Sequence, residues 1–183
     1  ITSELRSISA RGDIRSFPVV LCSTEEKIKQ TYDSDRTSHD LFDYKLSKSN
    51  PEPDWIKIST KLKSVADGYN WIQTTKRDPA EIIGISELEV IDERIVEKLL
   101  NFSVTYDFTH FVIKNFFHQT NPLINERTLA ARLGIDLAKT PSEVWERFCV
   151  SVLDDFRYKG LFAEGWKRWW ADGLVGWFSH ISG

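Results

Sequence analysis

An uninterrupted apolar run, Phe17-Pro18-Val19-Val20-Leu21-Cys22, stops abruptly at Ser23-Thr24. A run this short, rich in β-branched residues and closed by hydroxyls, reads as a strand buried on both faces, the pattern of a parallel sheet. Ser23 then stands at the carboxyl end of the strand, where open α/β sheets place their ligand sites. Further on, Phe42-Asp43-Tyr44-Lys45-Leu46-Ser47-Lys48 reads as a second strand that brings Lys48 to the same edge. A hydroxyl and a lysine at one edge suit a phosphoryl group, the hydroxyl as donor and the ammonium as point charge.

Between the two strands, Thr24 is a plausible N-cap for a weak helix ending near Tyr32, and the polar loop DSDRTSHD follows. Before them, Ile1, Leu5 and Ile8 fall at helical spacing, with Gly12 as a natural stop. After them, Asp54 caps a strong helix to about Thr75. Its apolar stripe is Trp55, Ile58, Leu62, Val65, Tyr69 and Ile72.

This order resembles the last third of a receiver domain, the phosphoacceptor module of response regulators. The resemblance rests on Pro18 to Ser23 and on Tyr44-Lys45-Leu46-Ser47-Lys48-Ser49, and it covers about residues 1–75. It implies a partial flavodoxin-like unit in which Ser23 and Lys48 contact an acyl phosphate and Tyr44 lies on the switch face. Two departures stand out: the aromatic falls one position early, and Ser49 replaces the proline after the lysine. Both lie where the family couples phosphorylation to output, so they point to a degenerate version that works by binding. The positions for the family's phosphoacceptor aspartate and acidic pair fall before Ile1. With no Met in the chain, an internal part of a longer protein is expected. Magnesium would enter only with a complete acidic site upstream; the chain's own residues call for no cofactor and no metal.

From residue 76 the pattern is helical. KRDPAEIIGISELEV reads as a linker with one helical turn. Ile91, Ile95, Leu99 and Phe102 form one stripe, and Phe108, Phe111, Val112 and Phe116 another. His110 and His118 are two turns apart on the second of these helices, with Asp107 near them, but no third or fourth ligand stands at a metal-binding spacing. Asn125 to Ile135, containing Thr128-Leu129-Ala130 and Leu133-Gly134-Ile135, resembles the first helix and turn of a helix-turn-helix. The following helix, 141–158, carries Glu143, Glu146, Asp154 and Asp155 against Arg147 and Arg157. Such a helix repels phosphates, so nucleic acid is the disfavoured partner.

The last stretch, 162–181, reads as one helix with Trp166, Trp170, Leu174, Trp177 and Ile181 on a face. Its plain reading is a terminal helix clamped onto the core. Its sharper reading is a partner or self-association surface on Trp166, Arg168, Trp169 and Trp177, since Trp and Arg dominate interface hot spots.

The expected fold is therefore mostly α with a small α/β part: a two-strand parallel unit over 1–75, then an all-α part over 76–183 containing the helix-turn-helix-like segment. The net charge of -3 gives no global attraction to nucleic acid or anionic membrane. Cys22 and Cys149 read as buried thiols of a reduced, cytoplasmic setting, and no run of eighteen apolar residues predicts a membrane span. No phosphate-binding glycine loop, nucleophile elbow or paired-cysteine motif is present, so binding is expected rather than catalysis. The function expected is signal transduction by a receiver-like module coupled to a helical output. The alternatives are a DNA-binding regulator through 125–158 and a helical interaction scaffold without a switch.

Overall fold

The computed structural model describes residues 2–32, 41–48, 53–75, 78–84, 91–118 and 122–181. The polar loop 33–40, Ser49 and most of the expected linker, at 76–77 and 85–90, lie outside them. The chain is mostly helical and carries a small two-strand parallel sheet. Helix α1 (Thr2–Ala10) leads to strand β1 (Val20–Ser23). Helix α2 (Glu25–Lys27) continues as a π turn over Ile28–Tyr32, and strand β2 (Tyr44–Ser47) follows. β1 and β2 pair in parallel, with Val20 opposite Tyr44 and Ser23 opposite Ser47. The expected strand pair is thus present with the expected direction.

The long helix α3 (Trp55–Thr74) starts where Asp54 accepts from the Lys57 amide at 3.1 Å. Only its later turns are core. Val65, Tyr69 and Ile72 are buried, whereas Trp55, expected on the same stripe, is 52% exposed. Helices α4 (Pro79–Ile83), α5 (Glu93–Leu100) and α6 (Thr105–Val112) follow, and α6 continues as a π segment over Ile113–Phe117. Strand β3 (Leu123–Asn125), helices α7 (Glu126–Arg132) and α8 (Ser142–Val152), a 3-10 turn over Asp154–Phe156, strand β4 (Arg168–Trp170) and helix α9 (Ala171–Ile181) complete the order.

Buried side chains form two clusters. The first joins Val65, Tyr69 and Ile72 of α3 to Ile82, Ile83, Leu99, Phe108, Phe116, Tyr158, Phe162 and Trp166. The early helices and the later ones therefore share one core across residue 75. The second gathers Ile124, Leu129, Trp145, Leu153, Trp169 and Leu174 around the β3–β4 ribbon. Burial removes apolar area from water at about 25 cal/mol per Å2, and this is what holds such short elements together.

Three expectations are corrected. β1 is not covered on both faces: Leu21 is buried but Cys22 is exposed, so the alternation is that of a strand with one face inward. The stretch 162–181 is not one helix. Phe162 takes φ +67°, the chain turns through 161–165, and Trp169 enters a strand whose partner at position 124 is Ile124. Antiparallel pairing with β3 outcompetes helical propensity there, and the helix begins only at Ala171. The helix expected over 141–158 likewise ends at Val152 and gives way to the 3-10 turn.

One glycine fixes how α4 meets the turn before β4. Gly84 closes α4 at φ +72°, and a Cβ there would lie 2.3 Å from the Gly160 amide nitrogen. Beside it the Leu161 amide donates to the Ile82 carbonyl at 2.8 Å, backbone against backbone. Gly84→Ala is expected to destabilise the protein by roughly 3 kcal/mol, the left-handed penalty plus the overlap. Chemical denaturation measures it; a loss under about 0.5 kcal/mol, the range of a neutral surface change, would show that this contact relaxes freely.

Candidate functional site

Three neighbouring features carry the chemistry: the edge of the parallel pair, a buried ion pair behind β2, and a basic cleft in front of it. At the edge, the Lys48 amide donates to the Ser23 carbonyl at 2.9 Å, extending the ladder one step past β2. The backbone thus sets Lys48 beside Ser23 at this edge. The Lys48 side chain is exposed and Ser23 is half-buried. Thr24 caps α2 immediately after Ser23.

Behind β2, Asp43 has a side chain with no exposed surface, and it takes the Arg6 guanidinium at 2.6 Å. It also accepts from the Tyr69 hydroxyl at 2.6 Å and from the Val19 amide at 2.7 Å. Arg6 donates in addition to the Phe17 carbonyl at 3.0 Å and lies 3.9 Å over the Tyr106 ring. A buried carboxylate survives only when paired and hydrogen-bonded in this way. Burial, and then the Asp43 charge, push the Tyr69 phenol well above its usual range, so it remains a donor at neutral pH. The pair ties α1, β1, β2, α3 and α6 at one point.

Sequence reasoning missed both partners. Asp43 left one signal, a lone carboxylate between two aromatic residues, Phe42 and Tyr44, at the head of the strand. Arg6 left none, because its partner lies far along the chain.

In front of β2, Phe42, Tyr44 and Lys45 face His110, Lys114 and His118 across a cleft of about 340 Å3. His110, Lys114 and His118 recur every four residues along α6 and its π extension, so they line one side. A π segment of this kind is often found at functional sites. Asp43 reaches the same cleft but is already engaged by Arg6 and Tyr69. The packed surroundings of His118, then the charges of Arg168, His110 and Lys61, hold its imidazole below the ordinary histidine value.

Tyr44 connects the strand to the later helices. Its ring meets Trp166 edge-on at 6.4 Å, and the Lys61 ammonium lies 5.8 Å from it. Burial raises the Tyr44 phenol, and burial followed by Arg168 and Lys57 lowers Lys61.

The tryptophan-rich stretch is built differently from an exposed patch. Trp169 is 2% exposed and Trp166 is buried in the first cluster; Trp177 is half-buried against Phe156. Arg168 donates to the Phe117 carbonyl at 2.8 Å. For Trp166 and Trp169 the expected surface is corrected to packing, Trp166 in the first cluster and Trp169 in the second, where β4 pairs with β3; Trp177, on α9, keeps part of its surface exposed. Cys149 is half-buried and its thiol is pushed up to about 11, chiefly by burial, so it is no nucleophile at neutral pH. Cys22, expected to be buried, is exposed.

The helix-turn-helix-like segment keeps its turn: Gly134 has φ +68° after α7. α8 presents exposed Glu143, Val144, Glu146, Arg147 and Val150, and Glu146 is paired with Lys167. That face is acidic and apolar, not basic.

Among the described residues, no group of three or more His, Cys, Asp and Glu side chains is placed to hold a metal ion. Among them, no helix is long and apolar enough to cross a membrane. No known protein family, no curated protein and no solved structure matches the chain.

Proposed function

We propose that this chain is a divergent receiver-like signalling module whose parallel strand edge takes an anionic group and whose helical part delivers the output. The observation that carries the reading is the parallel β1–β2 pair, with the Lys48 backbone amide hydrogen-bonded to the Ser23 carbonyl at its carboxyl edge. In this reading the Ser23 hydroxyl donates to a phosphoryl oxygen and the Lys48 ammonium neutralises its charge. β2 passes the change on, because Tyr44 rests against Trp166 and Asp43 is clamped to Arg6. The chain works by binding, in the cytoplasm, with a protein as its partner. Magnesium would take part only alongside a complete receiver-type acidic site.

The test uses the protein expressed from its natural gene. Beryllofluoride with magnesium, a phosphoryl mimic, is expected to change tryptophan emission, and Lys48→Ala is expected to abolish that response. No response, or one unaltered by Lys48→Ala, would leave a helical scaffold as the better reading. DNA binding is the weaker alternative, since α8 is acidic. It would need salt-sensitive DNA affinity that falls in Arg127→Ala or Arg132→Ala.

A further inference from the structure

The cleft between β2 and the α6 face has a charge distribution that the receiver-like reading does not use. Lys45, His110, Lys114 and His118 surround it, and Arg168 and Lys61 add positive potential at His118. The carboxylate that lines it, Asp43, is fully covered and already holds Arg6, Tyr69 and the Val19 amide. Lys114 stands with the imidazoles of His110 and His118 on one side and Lys45 on the other, so positive charge and hydrogen-bond donors meet in one cleft, a set of groups suited to an anion. Lysines serve phosphate as point charges and need no bidentate geometry.

Size and walls narrow the ligand. At about 340 Å3 the cleft is larger than an inorganic phosphate needs and falls in the range of small-molecule sites. Phe42, Tyr44 and Ile113 supply an apolar wall beside the cations. We infer that this cleft binds a small phosphorylated molecule, its phosphoryl group held by Lys45, Lys114, His110 and His118 and its apolar or planar body set against Phe42, Tyr44 and Ile113. The site is separate from the Ser23–Lys48 edge and stands whether or not that edge works as proposed.

Calorimetric titration of the whole chain with AMP and with inorganic phosphate, at low salt, tests this. Saturable binding is expected. Lys114→Ala is expected to weaken it about tenfold, the loss of one charge-assisted contact, and Lys114→Glu more. Lys114 is exposed and makes no ion pair among the described residues, so these variants are expected to fold, which thermal unfolding beside the titrations checks. In Lys48→Ala the Lys114-dependent binding is expected to remain, even if a separate binding event at the strand edge is lost. Tighter binding of AMP than of phosphate would show that the apolar wall is used. Equal affinities would assign the site to the phosphoryl group alone. The inference is overturned by the absence of saturable binding, by binding that Lys114→Ala and Lys114→Glu leave intact, or by loss of all binding in Lys48→Ala. The last result would move the anion to the strand edge and leave the receiver-like reading standing.

Discussion

Asp43→Ala is expected to lower the unfolding free energy by about 3–5 kcal/mol, the cost of stranding one member of a buried ion pair. The Arg6 side chain is only 10% exposed, so without Asp43 its guanidinium keeps the Tyr106 ring, the Tyr69 hydroxyl and two backbone carbonyls but no counter-charge. The Tyr69 hydroxyl and the Val19 amide lose their acceptor as well. For a domain stable by about 5–15 kcal/mol this is a large fraction of the total. A double variant, Arg6→Met with Asp43→Leu, removes both charges and is expected to recover much of the loss, because apolar replacements of buried pairs are often close to neutral. Urea unfolding followed by tryptophan emission measures both. A loss under about 1 kcal/mol for Asp43→Ala, the range of an exposed salt bridge, would mean that the pair is solvated.

Trp169→Ala is the second large effect. The ring is 2% exposed at the centre of the second cluster, with Ile124, Trp145 and Leu174 in the same group. Truncating a buried aromatic costs about 3–5 kcal/mol. Trp169→Phe is expected to cost less, since it keeps much of the apolar area and removes an indole N–H that meets no acceptor among the described residues. Size-exclusion chromatography with light scattering run beside the unfolding curves separates packing from association. Unchanged stability with a changed assembly state would return this ring to an interface.

The contrast between these two sites shows what the sequence could disclose. Apolar periodicity placed α3, α5 and α6, because a buried stripe must recur at helical spacing whatever it packs against. The short run ending at Cys22 and the aromatic strand before Lys48 announced a parallel pair, and β1 and β2 form one. The stretch 162–181 misled for a physical reason. Its spacing fits a helix, but Trp169 and Trp170 are also good strand formers, and pairing with Leu123–Asn125 decides the matter. The Arg6–Asp43 pair was illegible because nothing local marks a contact between α1 and β2. The basic cleft was half legible: His110 and His118 stood out on one helix, whereas Lys45 comes to them only through the fold.

The central claim is that loading the Ser23–Lys48 edge is felt across β2 by the helical part through Tyr44 and Trp166. Hydrogen–deuterium exchange on the protein from its natural gene, with and without beryllofluoride and magnesium, tests it most directly. The account predicts slowed exchange at 20–23 and 44–48 together with a change at 161–170. In Tyr44→Ala the first effect should remain and the second disappear. Exchange that is unaltered at the strands, or a change at 161–170 that survives Tyr44→Ala, would contradict it.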